Sequence, residues 1–228
     1  MPGCSGAVDA LLRVTGMVRA VVFDVGETLV DETELFGGWA DWLGVPRHTF
    51  SALVGAAIAR GGGFAEAFEM VRPGFDFRVE VRLREEAGVP DRVREEDLYS
   101  DARACLQELH RLGVWVGIAG NQPARAGQDL RSLRLAVDLV ATSAEWGVSK
   151  PDLRFFERVV TAVPFPAEEI LYVGDRVDRD VAPARKVGLQ AALLRRGPWA
   201  FLHDGDDGGA DLRLDGLTAL PAWVAGQR

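Results

Sequence analysis

Cysteine is nearly absent from this chain of 228 residues: Cys4 and Cys105 are the only two. Two cysteines so far apart form neither a metal-binding pattern nor a disulfide framework. Cys105 falls in a helical pattern with Ala102, Leu106 and Leu109, where it reads as a small buried hydrophobe. This usage fits a reducing cytoplasm. Long apolar runs are also missing. No stretch approaches the roughly 20 residues that a membrane span needs. Residues 1–16 lack the cationic head and apolar stretch of a signal peptide. They read as a flexible N-terminal extension, with Met17 a natural beginning before the first patterned strand.

Positive charge is in deficit. Lys and Arg total 26 against 34 Asp and Glu, a formal net charge of −8. Nonspecific nucleic-acid binding needs a basic surface, so no nucleic-acid partner is expected. A small anionic substrate needs only a local positive site. Lysine itself is rare, occurring only at positions 150 and 186. Arginine and lysine are not interchangeable where a compact point charge is needed, so each lysine carries information. The sequence leaves the oligomeric state open.

What is present is an ordinary globular balance, with 48% hydrophobic and 26% charged residues. The length suits one large domain, or one domain carrying an inserted module. Residues 18–25 (VRAVVFDV) form a valine-rich run of the kind buried on both faces of a parallel sheet. Similar runs follow at 114–119, 136–141, 170–173 and 191–194, with a short one at 211–214. Helical patterns lie between them at 101–112, 153–163 and 181–187. Strands alternating with helices predict an α/β fold with a doubly wound parallel sheet. Residues 32–100 break the alternation. They hold helical patterns at 36–43, 48–60, 64–71, 76–87 and 92–97, punctuated by Gly61-Gly62-Gly63 and Pro73-Gly74. The expected organisation is a core of 17–31 and 101–228 with a helical module, 32–100, inserted after the first strand. Residues 203–211 (HDGDDGGAD) read as a solvated acidic loop, because they lack the full pattern of a calcium loop.

Ligands of doubly wound sheets sit at the C-terminal ends of the strands. Four polar features fall there, one after each of the first four strands. They are Asp24, then Gly120-Asn121-Gln122, then Ser149-Lys150-Pro151-Asp152, then the run from Gly174 to Asp180 with Asp175 near its start. The fold brings carboxylates, a lysine and backbone amides to one crevice.

In this order the motifs VVFDVGETLVD, GIAGNQ, GVSKPD and YVGDRVDRD resemble the four motifs of the haloacid dehalogenase-like hydrolases, most of which are phosphatases. The resemblance covers about residues 18–220 and implies a Rossmann-like core with a small helical cap. It further implies that Asp24 is a nucleophile forming an aspartyl phosphate. Mg²⁺ would be held by Asp24, Asp175 and the Gly26 carbonyl. Lys150 would neutralise phosphate and carboxylate charge, and Asp180 would orient Lys150 or a metal-bound water. Gly120, Asn121 and Gln122 would receive the phosphate near a helix start. The implied substrate is a small phosphorylated molecule.

Two positions depart from the family pattern. Gly26 stands where an acid–base Asp is usual, and such a group is typically worth about 10² to 10⁴ in rate. Glu27 is adjacent, but neighbours on a turn rarely point the same way. Gly120 replaces a Ser or Thr. A dehalogenase usually carries Tyr at the position of Gly26, which disfavours that chemistry. A non-catalytic phosphate- or metal-binding module is the other alternative. His48, His110 and His203 stand near no motif, which argues against a histidine base. Trp39 and Trp42, three apart on a helix, read as core rather than as pocket lining.

Overall fold

The computed structural model describes residues 17–202, 205 and 207–227. The expected extension with Cys4, and His203 in the acidic loop, lie outside the described residues.

Six strands form one parallel sheet: β1 Ala20–Phe23, β2 Trp115–Gly120, β3 Leu139–Thr142, β4 Ile170–Gly174, β5 Gln190–Leu194 and β6 Leu212–Leu214. Their order is β3-β2-β1-β4-β5-β6. The chain winds outward from β1 in one direction, returns, and winds outward in the other, so β1 beside β4 is the switch point. All four residues of β1 are buried. Val21 and Phe23 enter the core on one face of the sheet, while Ala20 and Val22 enter the core on the other. This is the side-chain alternation of a strand covered on both sides, and it explains why the run reads as continuously apolar.

Before β2 come α1 Thr33–Leu43, α2 Arg47–Ala59, α3 Phe64–Val71, α4 Phe77–Glu86 and α5 Ala102–Arg111. The core then adds α6 Ala124–Ser132, α7 Ser143–Trp146, α8 Leu153–Ala162, α9 Ala182–Lys186, α10 Gly197–Leu202 and α11 Leu220–Ala225. Cys105 packs in one sheet-face core as expected. Burial pushes its thiol up to about 12. No helix of the described residues is long and apolar enough to cross a membrane.

The inserted helices build a third core from Trp39, Phe50, Ile58 and Phe68, completed by Trp199 of α10. Trp39 is packed edge-on against Phe68, and the Trp42 indole donates to Glu80 at 2.7 Å, so both tryptophans are structural. The two chain crossings into and out of the insertion run side by side. Val30 bridges Leu98, and the amides of Tyr99 and Asp31 donate to Leu29 and Asp97.

Two expected elements differ. Residues 92–97 are not an α-helix; only the single turn Glu95–Asp97 forms. Asp129 of α6 takes both the Arg92 guanidinium and the Val93 amide, which holds that segment extended against the core. The third strand begins at Leu139 instead of 136. The Asp138 carboxylate takes the Val116 amide at 2.8 Å and so starts the pairing later.

Candidate active site

The ends of β1, β2 and β4, with the loop that follows α7, carry the expected residues to one place. Asp24 leaves β1 with its amide bonded to Val173 of β4, which sets it at the switch point. The Lys150 ammonium lies 2.7 Å from Asp24 Oδ1 and 2.6 Å from Asp180 Oδ1, and its side chain is only 2% exposed. Its backbone is clamped as well. Asn121 Oδ1 accepts from the Lys150 amide at 2.8 Å, and Asn121 Nδ2 donates to the Lys150 carbonyl at 2.9 Å. Asp180 Oδ2 accepts from the Arg176 amide at 2.9 Å. Gly174 is required beneath it, since a Cβ there would stand 2.4 Å from the Asp180 carboxyl.

One oxygen from each of Asp24, Asp175 and Asp180 lies within 4.8 Å of the others. Burial, then repulsion from Asp180 and Asp24, holds the Asp175 carboxyl well above the usual carboxylate range. Burial alone would lower the Lys150 pKa, but Asp180 and Asp24 raise it well above that of ordinary lysine, so the ammonium stays charged. Asp180 is pushed up to about 6 by burial, against the pull of Lys150. Asp180 is already committed to Lys150 and Arg176. Asp24 and Asp175 therefore remain as hard oxygen donors, a set that fits a divalent cation such as Mg²⁺.

The expected phosphate cradle is narrower than the sequence suggests. The Gln122 amide donates to the Gly120 carbonyl at 2.9 Å, so in this conformation it is not a free phosphate donor. Gly120 supplies clearance, because a Cβ there would lie 2.6 Å from Asp24 Oδ1. Glu27 lines the cavity around Asp24, but its carboxylate is already bonded. It accepts from the Tyr99 hydroxyl at 2.5 Å and from the Glu32 amide at 3.3 Å.

Sequence reasoning missed Glu32. Its carboxyl fills the space beside Gly26, where a Cβ would meet Glu32 Oε1 at 2.3 Å. Burial, then the charges of Glu27 and Asp24, push it up to about 8. No motif announces Glu32. The turn Gly26–Val30, closed by a bridge between its ends, brings it back over the strand end. Arg176, Arg179 and Trp199 also line the cavity of about 90 Å³ around Asp24.

The description "haloacid dehalogenase-like hydrolase" fits residues 18–188. The chain belongs to this family. It is 30% identical over 243 residues to a phosphoserine phosphatase from Thermus thermophilus, covering 93% of this chain and 94% of that one. It is 33% identical over 126 residues to a glyceraldehyde 3-phosphate phosphatase from Methanocaldococcus jannaschii, a match spanning only 54% of each protein. Among solved structures, a phosphatase of this family from Thermococcus onnurineus superposes with TM-score 0.57 at 20% identity, over 92% of this chain and 100% of that one. The L-2-haloacid dehalogenase from Xanthobacter autotrophicus superposes with TM-score 0.64 at 18% identity, over 93% and 100%. The two folds are alike and their chemistries differ, so the site must decide between them.

Proposed function

We propose that this protein is a Mg²⁺-dependent phosphomonoester hydrolase that works through an aspartyl phosphate at Asp24. The observation that carries this reading is the charge imbalance at the switch point, where three carboxylates converge on one ammonium. Arg176 and Arg179 also line the cavity, but Asp24, Glu27, Glu32, Asp175 and Asp180 outnumber its cations, so a phosphate dianion there is favoured by a bound cation. Asp24, Asp175 and the Gly26 carbonyl would hold that cation, which supplies charge neutralisation for substrate and transition state.

The remaining roles belong to the chain. Asp24 attacks phosphorus with a carboxylate oxygen, while Lys150 fixes the carboxylate and shields its charge. Asp180 keeps Lys150 in place, and the Asn121 side chain fixes the lysine backbone. The phosphatase names of the relatives support a small phosphorylated substrate, and Gly26 in place of Tyr argues against halide displacement.

The test uses 4-nitrophenyl phosphate. Hydrolysis should require Mg²⁺, stop in EDTA and return when excess Mg²⁺ is added. Asp24→Asn should lower kcat by at least about 10³-fold, as expected for loss of a nucleophile. Full activity in chelator, or in the variant, would remove this mechanism.

A further inference from the structure

Phosphoryl transfer from a poor leaving group needs a proton on the departing oxygen, and Gly26 has no side chain to give one. We propose that Glu32 is the proton donor and acceptor of this site, occupying from the cap side the place that a side chain at position 26 would fill. The inference rests on the phosphoryl-transfer reading above.

Position is the first argument. A Cβ built on Gly26 would lie 2.3 Å from Glu32 Oε1, 2.7 Å from Cδ and 3.2 Å from Oε2. The glutamate carboxyl and a residue-26 side chain therefore compete for one volume, two residues beyond the nucleophile. Gly26 does not have a positive φ, so the backbone there would admit other residues; Glu32 is the obstacle.

Access is the second. Glu32 remains partly exposed and lines the cavity of about 90 Å³ that holds Asp24, Lys150 and Asp175. It also lines a neighbouring cavity of about 510 Å³ between the insertion and the core, and among the described residues Gln122 is the only other one common to both. A phosphoryl group in the small cavity and its leaving group in the large one would put the ester oxygen at this shared wall.

The other candidates are committed elsewhere. Glu27 is bonded to Tyr99 and to the Glu32 amide, so it positions Glu32 instead of replacing it. Asp180 is bonded to Lys150 and Arg176, and Asp175 faces the expected metal position. His48 and His110 line neither cavity.

The chemistry balances in two steps. An Asp24 oxygen forms a bond to phosphorus, the ester P–O bond breaks, and the leaving oxygen keeps the electron pair and takes the Glu32 proton. The Glu32 carboxylate then removes a proton from water, whose oxygen bonds to phosphorus. The Asp24–phosphorus bond breaks, which releases phosphate and restores both carboxyl groups to their starting states.

The experiment compares 4-nitrophenyl phosphate, a good leaving group, with glycerol phosphate, a poor one, in saturating Mg²⁺. Wild-type activity on either that vanishes in Asp24→Asn establishes the underlying reading; its absence on both would remove that reading and this inference together. Given that activity, Glu32→Gln should lower kcat/KM for glycerol phosphate by about 10² to 10⁴-fold and for the aryl ester much less. Hydrolysis of the phosphoenzyme should also slow. The aryl ester should then give a burst of nitrophenol, and an Asp24 peptide carrying one added phosphoryl group should be found by mass spectrometry. The Mg²⁺-induced rise in melting temperature should persist. Gly26→Asp alone should fail against the Glu32 carboxyl, whereas Gly26→Asp with Glu32→Ala should exceed Glu32→Ala on glycerol phosphate. This swap also decides the matter if Glu32→Gln does not fold. Equal losses on both esters, loss of the Mg²⁺ response, or a double variant no better than Glu32→Ala would overturn the proposal while leaving the role of Asp24 intact.

Discussion

Lys150 shows how much one residue can depend on its neighbours. Its ammonium is buried between Asp24 and Asp180, and its backbone is held by Asn121. Removing one partner of a buried ion pair leaves an uncompensated charge, at a cost of about 3–5 kcal/mol. Lys150→Met should therefore lower stability by roughly that amount in urea unfolding and abolish phosphatase activity. Lys186 is exposed at the end of α9, and Lys186→Met should change stability by less than about 0.5 kcal/mol. Equal effects at the two lysines would remove the special role of Lys150. The placement of Lys150 beside Asp24 was legible in the sequence, because a lysine-poor chain puts one of its two lysines in a strand-end motif. Glu32 was not legible. It acts across a turn six residues from Gly26, and only the fold reveals that the two share a volume. The same turn withdraws Glu27, the nearer carboxylate, to Tyr99.

Among the elements, the strands were the most legible. A strand buried on both faces must be apolar throughout, and the valine runs at 18–25 and 170–173 reflect that requirement. Elements whose limits come from distant side chains were less so. Asp129 turns residues 92–94 away from helix, and no local pattern at 92–97 records it. Helix α10 was missed for a similar reason: its role is to pack against the insertion. Trp199 stands edge-on to Phe64 of α3, with ring centroids 4.7 Å apart, and the Arg176 guanidinium lies 4.2 Å from its ring centre. One side chain thus joins the third core to the loop after β4, beside Asp175 and Asp180. Trp199→Ala should cost about 3 kcal/mol in urea unfolding, as truncating a buried aromatic usually does. Because Arg176 also carries the amide that holds Asp180, kcat should fall as well. A loss of stability below about 1 kcal/mol would mean that α10 does not secure the insertion.

For the molecule as a whole, the site opposes the fold that carries it. The cores on both sheet faces and in the insertion are apolar and buried, yet the switch point gathers like charges. A carboxyl whose folded pKa is raised holds its proton more tightly in the folded state. Stability is then greatest below the unfolded pKa, near 3.9 for Asp, and declines as pH rises from there toward the folded value. Asp175 is such a group, so in metal-free protein at neutral pH it works against folding. Asp175→Asn removes that conflict and should raise metal-free stability by about 1 kcal/mol, the size of gain that relief of unfavourable charge commonly gives. The wild type should recover more than this when the cation binds. At 100 times its dissociation constant, Mg²⁺ adds about 2.7 kcal/mol. For a chain of this length that corresponds to a rise in melting temperature of roughly 5–10 °C. Asp175→Asn has lost a ligand and should show almost none of that rise. The two melting curves should therefore cross: the variant is the more stable protein in EDTA and the less stable in Mg²⁺. Differential scanning calorimetry in both buffers reads the crossing directly. If the variant is less stable than wild type in EDTA, Asp175 is a structural carboxylate and the charge conflict does not exist. If it is more stable but still responds fully to Mg²⁺, the cation binds elsewhere. Only the crossing is expected of a fold that gives up stability at this position in order to hold a metal.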